Sequence, residues 1–281
     1  GGLCASKKRW FVAFKVEVDV IEGDETRSIF EYDFDLEGKE VLIQFPIGTL
    51  GDIIGWFPYA ARFAEEHSEC RVTCALSELI IPLLQDAYPD IRLVTHEQVV
   101  EEQLMETMFA TYSIGLFFSD KSCDWQPVDF RLVGLHRTAG YILGVSPDEV
   151  PPKLALTDST RPIPEPYVCI AIQSTTGCKY WNNPEGWSKV VAFLKKSGYR
   201  VICIDQKPVH GHGLMWTHIP PGAEDETGNR PLTERARWLK HADFYIGLGS
   251  GLSWLAWAAG CPVVLISGFS HPSTEFQTPY R

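Results

Sequence analysis

Residues 244–270 read FYIGLGSGLSWLAWAAGCPVVLISGFS and carry no charged side chain. A run of that length can cross a bilayer. It is punctuated, however, by Gly247, Gly249, Gly251, Gly260 and Pro262, and Gly260-Cys261-Pro262 is a helix stop. A lipid-facing helix rarely carries glycines and a proline so spaced. The stretch instead predicts a strand over 244–248, a glycine turn, a helix over 252–259 and a strand over 263–267. That unit sets the fold class.

The same alternation extends backwards. Strands are expected over 167–173 and 200–205, with helices over 183–197 and 231–239. The segment 207–230 is turn-rich, with one short strand. Upstream, Pro151, Pro152, Pro162, Pro164 and Pro166 mark 148–166 as a linker. Before it come strands over 41–45, 71–76, 91–94 and 113–118 and helices over 53–67, 78–87 and 134–143. Strands separated by helices indicate βαβ units and parallel sheets. Residues 11–20 and 28–36 differ, alternating apolar and charged side chains with period two. They read as an antiparallel hairpin with one wet face. The organisation expected is α/β with two facing Rossmann-like halves: a small N-terminal β element (1–38), a first half (39–155) and a second half (156–281). Ligands of such folds sit in the cleft between halves.

Composition sets limits on function. The 281 residues, 45% hydrophobic and 22% charged, suit a globular chain of about two domains. A net charge of −11 argues against a sequence-independent grip on nucleic acid. Gly1 in place of a start Met is the mark of a trimmed chain, and no leader-like segment follows it. Cysteines at 4, 70, 74, 123, 169, 178, 203 and 261 are dispersed, as expected of reduced thiols in a cytoplasmic protein. Cys70 and Cys74 have a zinc-ligand spacing, but no second pair follows at finger distance. The pair His210 and His212 reads as loop chemistry, and no metal site is expected.

Three loops carry the candidate chemistry, each at the carboxyl end of an expected strand. Gly48-Thr49-Leu50-Gly51-Asp52 permits close backbone approach at a helix start. Asp52 is either a helix N-cap or a carboxylate facing the cleft to take a proton. Gly249-Ser250-Gly251-Leu252 opens a helix after a buried strand. It suits either an anion meeting backbone amides or a tight turn for packing. Loop 173–181 brings Lys179 beside hydroxyls including Thr175, as a solvated lysine or part of a pyrophosphate clamp. Asp205 ends its strand and either binds a ribose hydroxyl or caps.

Taken together, VLIQFPIGTLGD (41–52), KYWNNPEGW (179–187) and GSGLSWLAWAAGCPVV (249–264) resemble the ADP-heptose glycosyltransferases. The N-terminal β element, YSIGLFFSD (112–120) and FRLVGLHRTAGYILGV (130–145) are similar to the bacterial autotransporter heptosyltransferase branch. The resemblance covers nearly the whole chain. It implies a GT-B glycosyltransferase that moves heptose with inversion from ADP-heptose to serine hydroxyls of an autotransporter adhesin. By resemblance Asp52 is the catalytic base, Thr49, Leu50 and Gly51 contact the sugar nucleotide, Lys179 holds the diphosphate, and Gly249, Ser250 and Gly251 line the cleft. The lipopolysaccharide enzymes have an acid and a histidine where this chain has Gly249 and Trp254, so those two contacts do not transfer.

The branch also implies a cysteine-rich, iron-binding extension and homo-oligomers. The chain stops at Arg281 before such a cluster, so no metal or cofactor is expected beyond the ADP-heptose donor. Two other readings stay open. One is a lipopolysaccharide-core acceptor; the other is a nucleotide-sugar-binding scaffold without turnover.

Overall fold

The computed structural model describes residues 5–46 and 48–275. Its core is α/β: two parallel sheets joined through helices, with two small antiparallel hairpins outside them.

The first hairpin pairs β1 (Lys15–Glu22) with β2 (Glu25–Asp33) around a two-residue turn, where Gly23 takes the left-handed φ of +63°. The strands lie where alternation places them, offset by a few residues. The expected dry face forms only at the base, where Phe34 packs on Phe11, Phe14 and Phe109. Farther out Val18, Ile21, Ile29 and Phe30 are exposed.

The first sheet holds β3 (Glu40–Gln44), β4 (Arg71–Ala75), β5 (Arg92–Val94) and β6 (Ala110–Ser113) in the order β5-β4-β3-β6, all parallel. Val41, Leu42 and Ile43 of central β3 are fully buried, as a strand covered on both faces requires. β6 is shifted from the expected 113–118: it pairs with β3 only as far as Gln44, so the chain leaves the sheet beyond Ile114. Helix α1 (Leu50–Glu66) starts a turn earlier than expected and carries Pro58 inside it. The helix expected over 78–87 shrinks to α2 (Ile81–Leu84) and a 3-10 turn, with Pro82 in its first turn. Two short helices, α3 (His96–Glu101) and α4 (Leu104–Thr107), were not legible. The helix expected over 134–143 starts four residues late, and a short helix precedes it. After α5 (Phe130–Val133) the backbone turns at Gly134, φ +97°, before α6 (Thr138–Leu143).

The second sheet contains β7 (Tyr167–Ala171) and β8 (Arg200–Cys203), with α7 (Gly186–Lys196) between them. The segment 207–230 forms more than one strand: β9 (Val209–His212) and β10 (Met215–His218) make a separate hairpin, and β11 (Glu224–Asp225) joins the sheet edge. Then come α8 (Leu232–His241), β12 (Phe244–Leu248), α9 (Gly251–Ala258), β13 (Val263–Ile266) and α10 (Pro272–Glu275). The order is β11-β8-β7-β12-β13, all parallel. The uncharged run is thus strand, turn, helix and strand. Among the described residues no helix is long and apolar enough to cross a membrane.

Cys4 lies outside the described residues; the other seven cysteines are free thiols. Cys74 is fully buried in β4, where desolvation pushes its thiol up. The proline-rich coil 148–166 is pinned to both halves. Ala155 N–H donates to the Leu83 carbonyl (2.7 Å) and Arg237 Nε to the Thr160 carbonyl (2.7 Å).

One apolar cluster runs through both halves, from Val41 and Trp56 to Trp254, Leu255 and Tyr167. It is continuous because α1 lies directly on α9. A Cβ on Gly51 would stand 2.5 Å from Trp254 Cδ1, and one on Gly251 2.8 Å from Leu50 Cβ. Gly51→Ala therefore has to displace a buried indole. The expected cost is about 1–3 kcal/mol, read as a Tm lower by roughly 2–10 °C in a thermal melt.

Candidate active site

In a parallel sheet all carboxyl ends lie along one edge. The edge of the second sheet carries loop 172–179 after β7, Asp205 after β8 and loop 249–251 after β12. The edge of the first sheet carries loop 45–49 after β3. The α1–α9 contact joins the two helices that start from these edges, so Leu50 and Gly51 meet Gly251 and Trp254.

Loop 48–52 is shaped by Gly48, whose φ of +139° suits only glycine; a Cβ there would also lie 2.8 Å from Trp56 Cζ3. Thr49 is the N-cap of α1, with extended backbone. Asp52 is therefore not the N-cap but the third helical residue. Its Oδ2 accepts from the Thr49 N–H at 2.6 Å and from the Thr49 hydroxyl at 3.0 Å. That is one half of a capping box, and it anchors one carboxylate oxygen. Oδ1 has no partner among the described residues, and the side chain is half-buried.

Loop 249–252 follows buried Leu248. Ser250 is the N-cap of α9, its carbonyl accepting from the Ser253 hydroxyl at 2.7 Å. Gly251 and Leu252 are half-buried and begin the helix, where amides unpaired within the helix accumulate. Trp254 is 2% exposed and points into the seam.

In the third loop, Thr175 is exposed and Lys179 half-buried. Lys179 Nζ sits 5.8 Å from the centre of the Phe269 ring, and no carboxylate pairs with it among the described residues. Tyr180, next in sequence, is hydrogen-bonded to His210 Nδ1, tying this loop to β9.

Asp205 is placed differently from a ligand-facing carboxylate. It is 1% exposed, and its oxygens accept from the Ile172 N–H (2.7 Å) and the Gln173 N–H (3.2 Å). It thus holds the start of the loop that leads to Thr175 and Lys179. Burial raises its pKa to about 6 against the pull of those two amides. Buried Arg235 clamps the next loop, donating to the carbonyls of Asp205 (3.2 Å), Glu226 (2.6 Å) and Gly228 (2.9 Å). Nothing in the sequence singled out Arg235, since its helix reads as ordinary amphipathic surface.

The folded pKa of Asp205 lies above its ordinary value, so its contribution to stability is fully present below about pH 4 and is lost as pH rises through about 6. Asp205→Asn should remove that dependence. Wild type should lose about 2–3 kcal/mol relative to the variant between pH 4 and pH 7, as read from paired urea melts. A constant difference across that range would contradict the assignment.

The comparisons with known proteins show the family and the fold. The profile of glycosyltransferase family 9 (heptosyltransferase) matches residues 143–280. Autotransporter heptosyltransferase Aah of Escherichia coli is 54% identical over 280 residues, covering 100% of this chain and 69% of Aah. The chain belongs to the autotransporter heptosyltransferases. As in other such heptosyltransferases, the fold is GT-B. The crystal structure described as an iron-containing dodecameric glycosyltransferase, TibC from enterotoxigenic E. coli H10407, superposes with a TM-score of 0.87 at 51% identity, covering 99% of this chain and 70% of TibC. A second TibC crystal contains ADP-D-beta-D-heptose. BimC of Burkholderia thailandensis, described as an inactive autotransporter heptosyltransferase, is 46% identical over all of this chain and 64% of its own length. The chain spans about two thirds of the length of these curated relatives. BimC also shows that this degree of identity does not by itself carry turnover.

TibC is described as iron-containing. Among the described residues no three His, Cys, Asp or Glu side chains come together to hold a metal ion.

Proposed function

We propose that this heptosyltransferase moves heptose from ADP-heptose to serine hydroxyls of an autotransporter adhesin, with inversion. The observation that carries the reading is the seam where loop 48–52 and loop 249–252 touch. On this reading the Asp52 carboxylate, with Oδ1 unpartnered among the described residues, serves the acceptor while the α9 start receives the diphosphate. In the proposed reaction Asp52 Oδ1 takes the hydroxyl proton as the serine oxygen attacks the anomeric carbon, and ADP departs from the opposite face. Lys179 and the amides of Gly249, Ser250, Gly251 and Leu252 offset the charge that grows on the leaving diphosphate. On this reading Thr49, Leu50, Gly51 and Thr175 line the sugar nucleotide, and Asp205 holds from behind the start of the loop that carries Thr175 and Lys179. On this reading residues 39–155 serve the acceptor and 156–281 the ADP-sugar.

We further infer a homo-oligomer acting in the cytoplasm. The dodecameric state of TibC and the exposed Ile21, Ile29, Leu214 and Trp216 support self-association. Inversion has its own test. The donor in the TibC crystal is the β anomer, so NMR of a glycosylated acceptor peptide should show only α-linked heptose. A β linkage would rule out the single displacement.

A further inference from the structure

We propose that Trp254 is a positioning residue: a rigid spacer that sets the distance between the Asp52 helix and the donor loop, without itself touching substrate. This rests on the heptosyltransferase reading for its kinetic arm and on geometry alone for its physical one. The indole is 2% exposed and runs along α1 from Gly51 to Gly55. Its Cδ1 would stand 2.5 Å from a Cβ on Gly51 and its Cζ3 2.9 Å from one on Gly55. Those two glycines, four apart, present one bare strip of α1, and the indole fills it. Two rings hold the indole from other sides, His136 edge-on at 5.4 Å and Trp257 at 5.6 Å.

His136 is itself fixed. Its Nε2 lies 2.9 Å from Glu149 Oε2, both side chains being at most 4% exposed, and Glu149 stands at the start of the coil that joins the two halves. Helix, linker and indole therefore lock one another. Three residues before Trp254 is Gly251, whose backbone meets Leu50, two residues before Asp52. Shrinking the indole should let α1 tilt, carrying Asp52 while leaving the donor loop with its own sheet. A displacement of an ångström there can cost about 100-fold in rate.

The test is Trp254→Leu, read by steady-state kinetics and by hydrogen exchange. The expected result is a kcat lower by about 10- to 100-fold, with KM for ADP-heptose and Kd for ADP within about three-fold of wild type. Exchange of the amides of residues 50–56 should quicken at least about ten-fold while those of β3 and β7 hold. Unchanged kcat and exchange would overturn the proposal, and so would a loss of ADP affinity in step with kcat, which would make Trp254 a binding residue. If Trp254→Leu does not fold, Trp254→Phe decides with Gly55→Ala. The added methyl should slow the wild type and speed the Phe variant, and slowing of both would overturn it. A wild type that transfers no heptose refutes the reading of function, and the exchange arm then judges the spacer alone.

Discussion

Asp52→Asn should lower heptose transfer by about 10²–10⁴-fold while ADP-heptose still binds and the protein melts almost where the wild type does. The geometry makes this a sharp separation of two roles. Asp52 Oδ2 accepts from the Thr49 N–H and hydroxyl, and Oδ1 has no partner among the described residues. An asparagine oxygen can take over the acceptor role toward Thr49, so the helix start survives. What goes is the negative charge in the first turn, worth about 0.3–1 kcal/mol. An amide cannot receive the serine proton at neutral pH, and a positioned carboxylate contributes through that transfer alone. Single-turnover transfer within a few-fold of wild type would leave Asp52 as part of a capping box and nothing more.

Lys179→Ala should weaken ADP-heptose binding by about 1.5–3 kcal/mol, a factor of roughly 10 to 150, through loss of a charge-assisted contact to the diphosphate. Lys179 has no carboxylate partner among the described residues, so its removal strands no buried charge, and the fold should be indifferent. Turnover at saturating donor should fall as well, because the negative charge on the departing ADP exceeds that on the bound donor. Calorimetry giving the same affinity, together with the same kcat, would take Lys179 out of the site.

Strand and helix order was legible wherever a single period or a glycine break governed the chain. β12 spans 244–248 as the sequence implies, because an apolar pentapeptide ended by glycine has few other options. The short elements were hidden. α3 is declared only by Thr95 and Gln98, which exchange capping contacts across three residues, and nothing apolar flags it beforehand. The division between α5 and α6 depends on Gly134 adopting a positive φ, and a helix pattern continues through it in sequence.

Within the candidate site, the glycine loops were legible as strand–turn–helix junctions, and the seam between them was not. Gly51 reads as room for close backbone approach and Gly55 draws no notice, when both are bare because a tryptophan about 200 residues away rests on them. Asp205 shows the opposite limit. A carboxylate at a strand end reads from sequence as either a ribose ligand or a cap, and only its burial and its two amide donors reveal an internal tie. His136 lay in a motif noted for resemblance alone and Glu149, 13 residues on, at the start of the proline-rich linker, with no sign that they pair.

The most direct measurement is intact-mass analysis of an autotransporter passenger domain incubated with ADP-heptose and this protein. The account predicts a ladder of products, each heavier by one heptose residue, with fragmentation placing the sugar on serine and no ladder from Asp52→Asn. Transfer to a lipopolysaccharide core alone, or donor binding with no transfer to any acceptor, would contradict it.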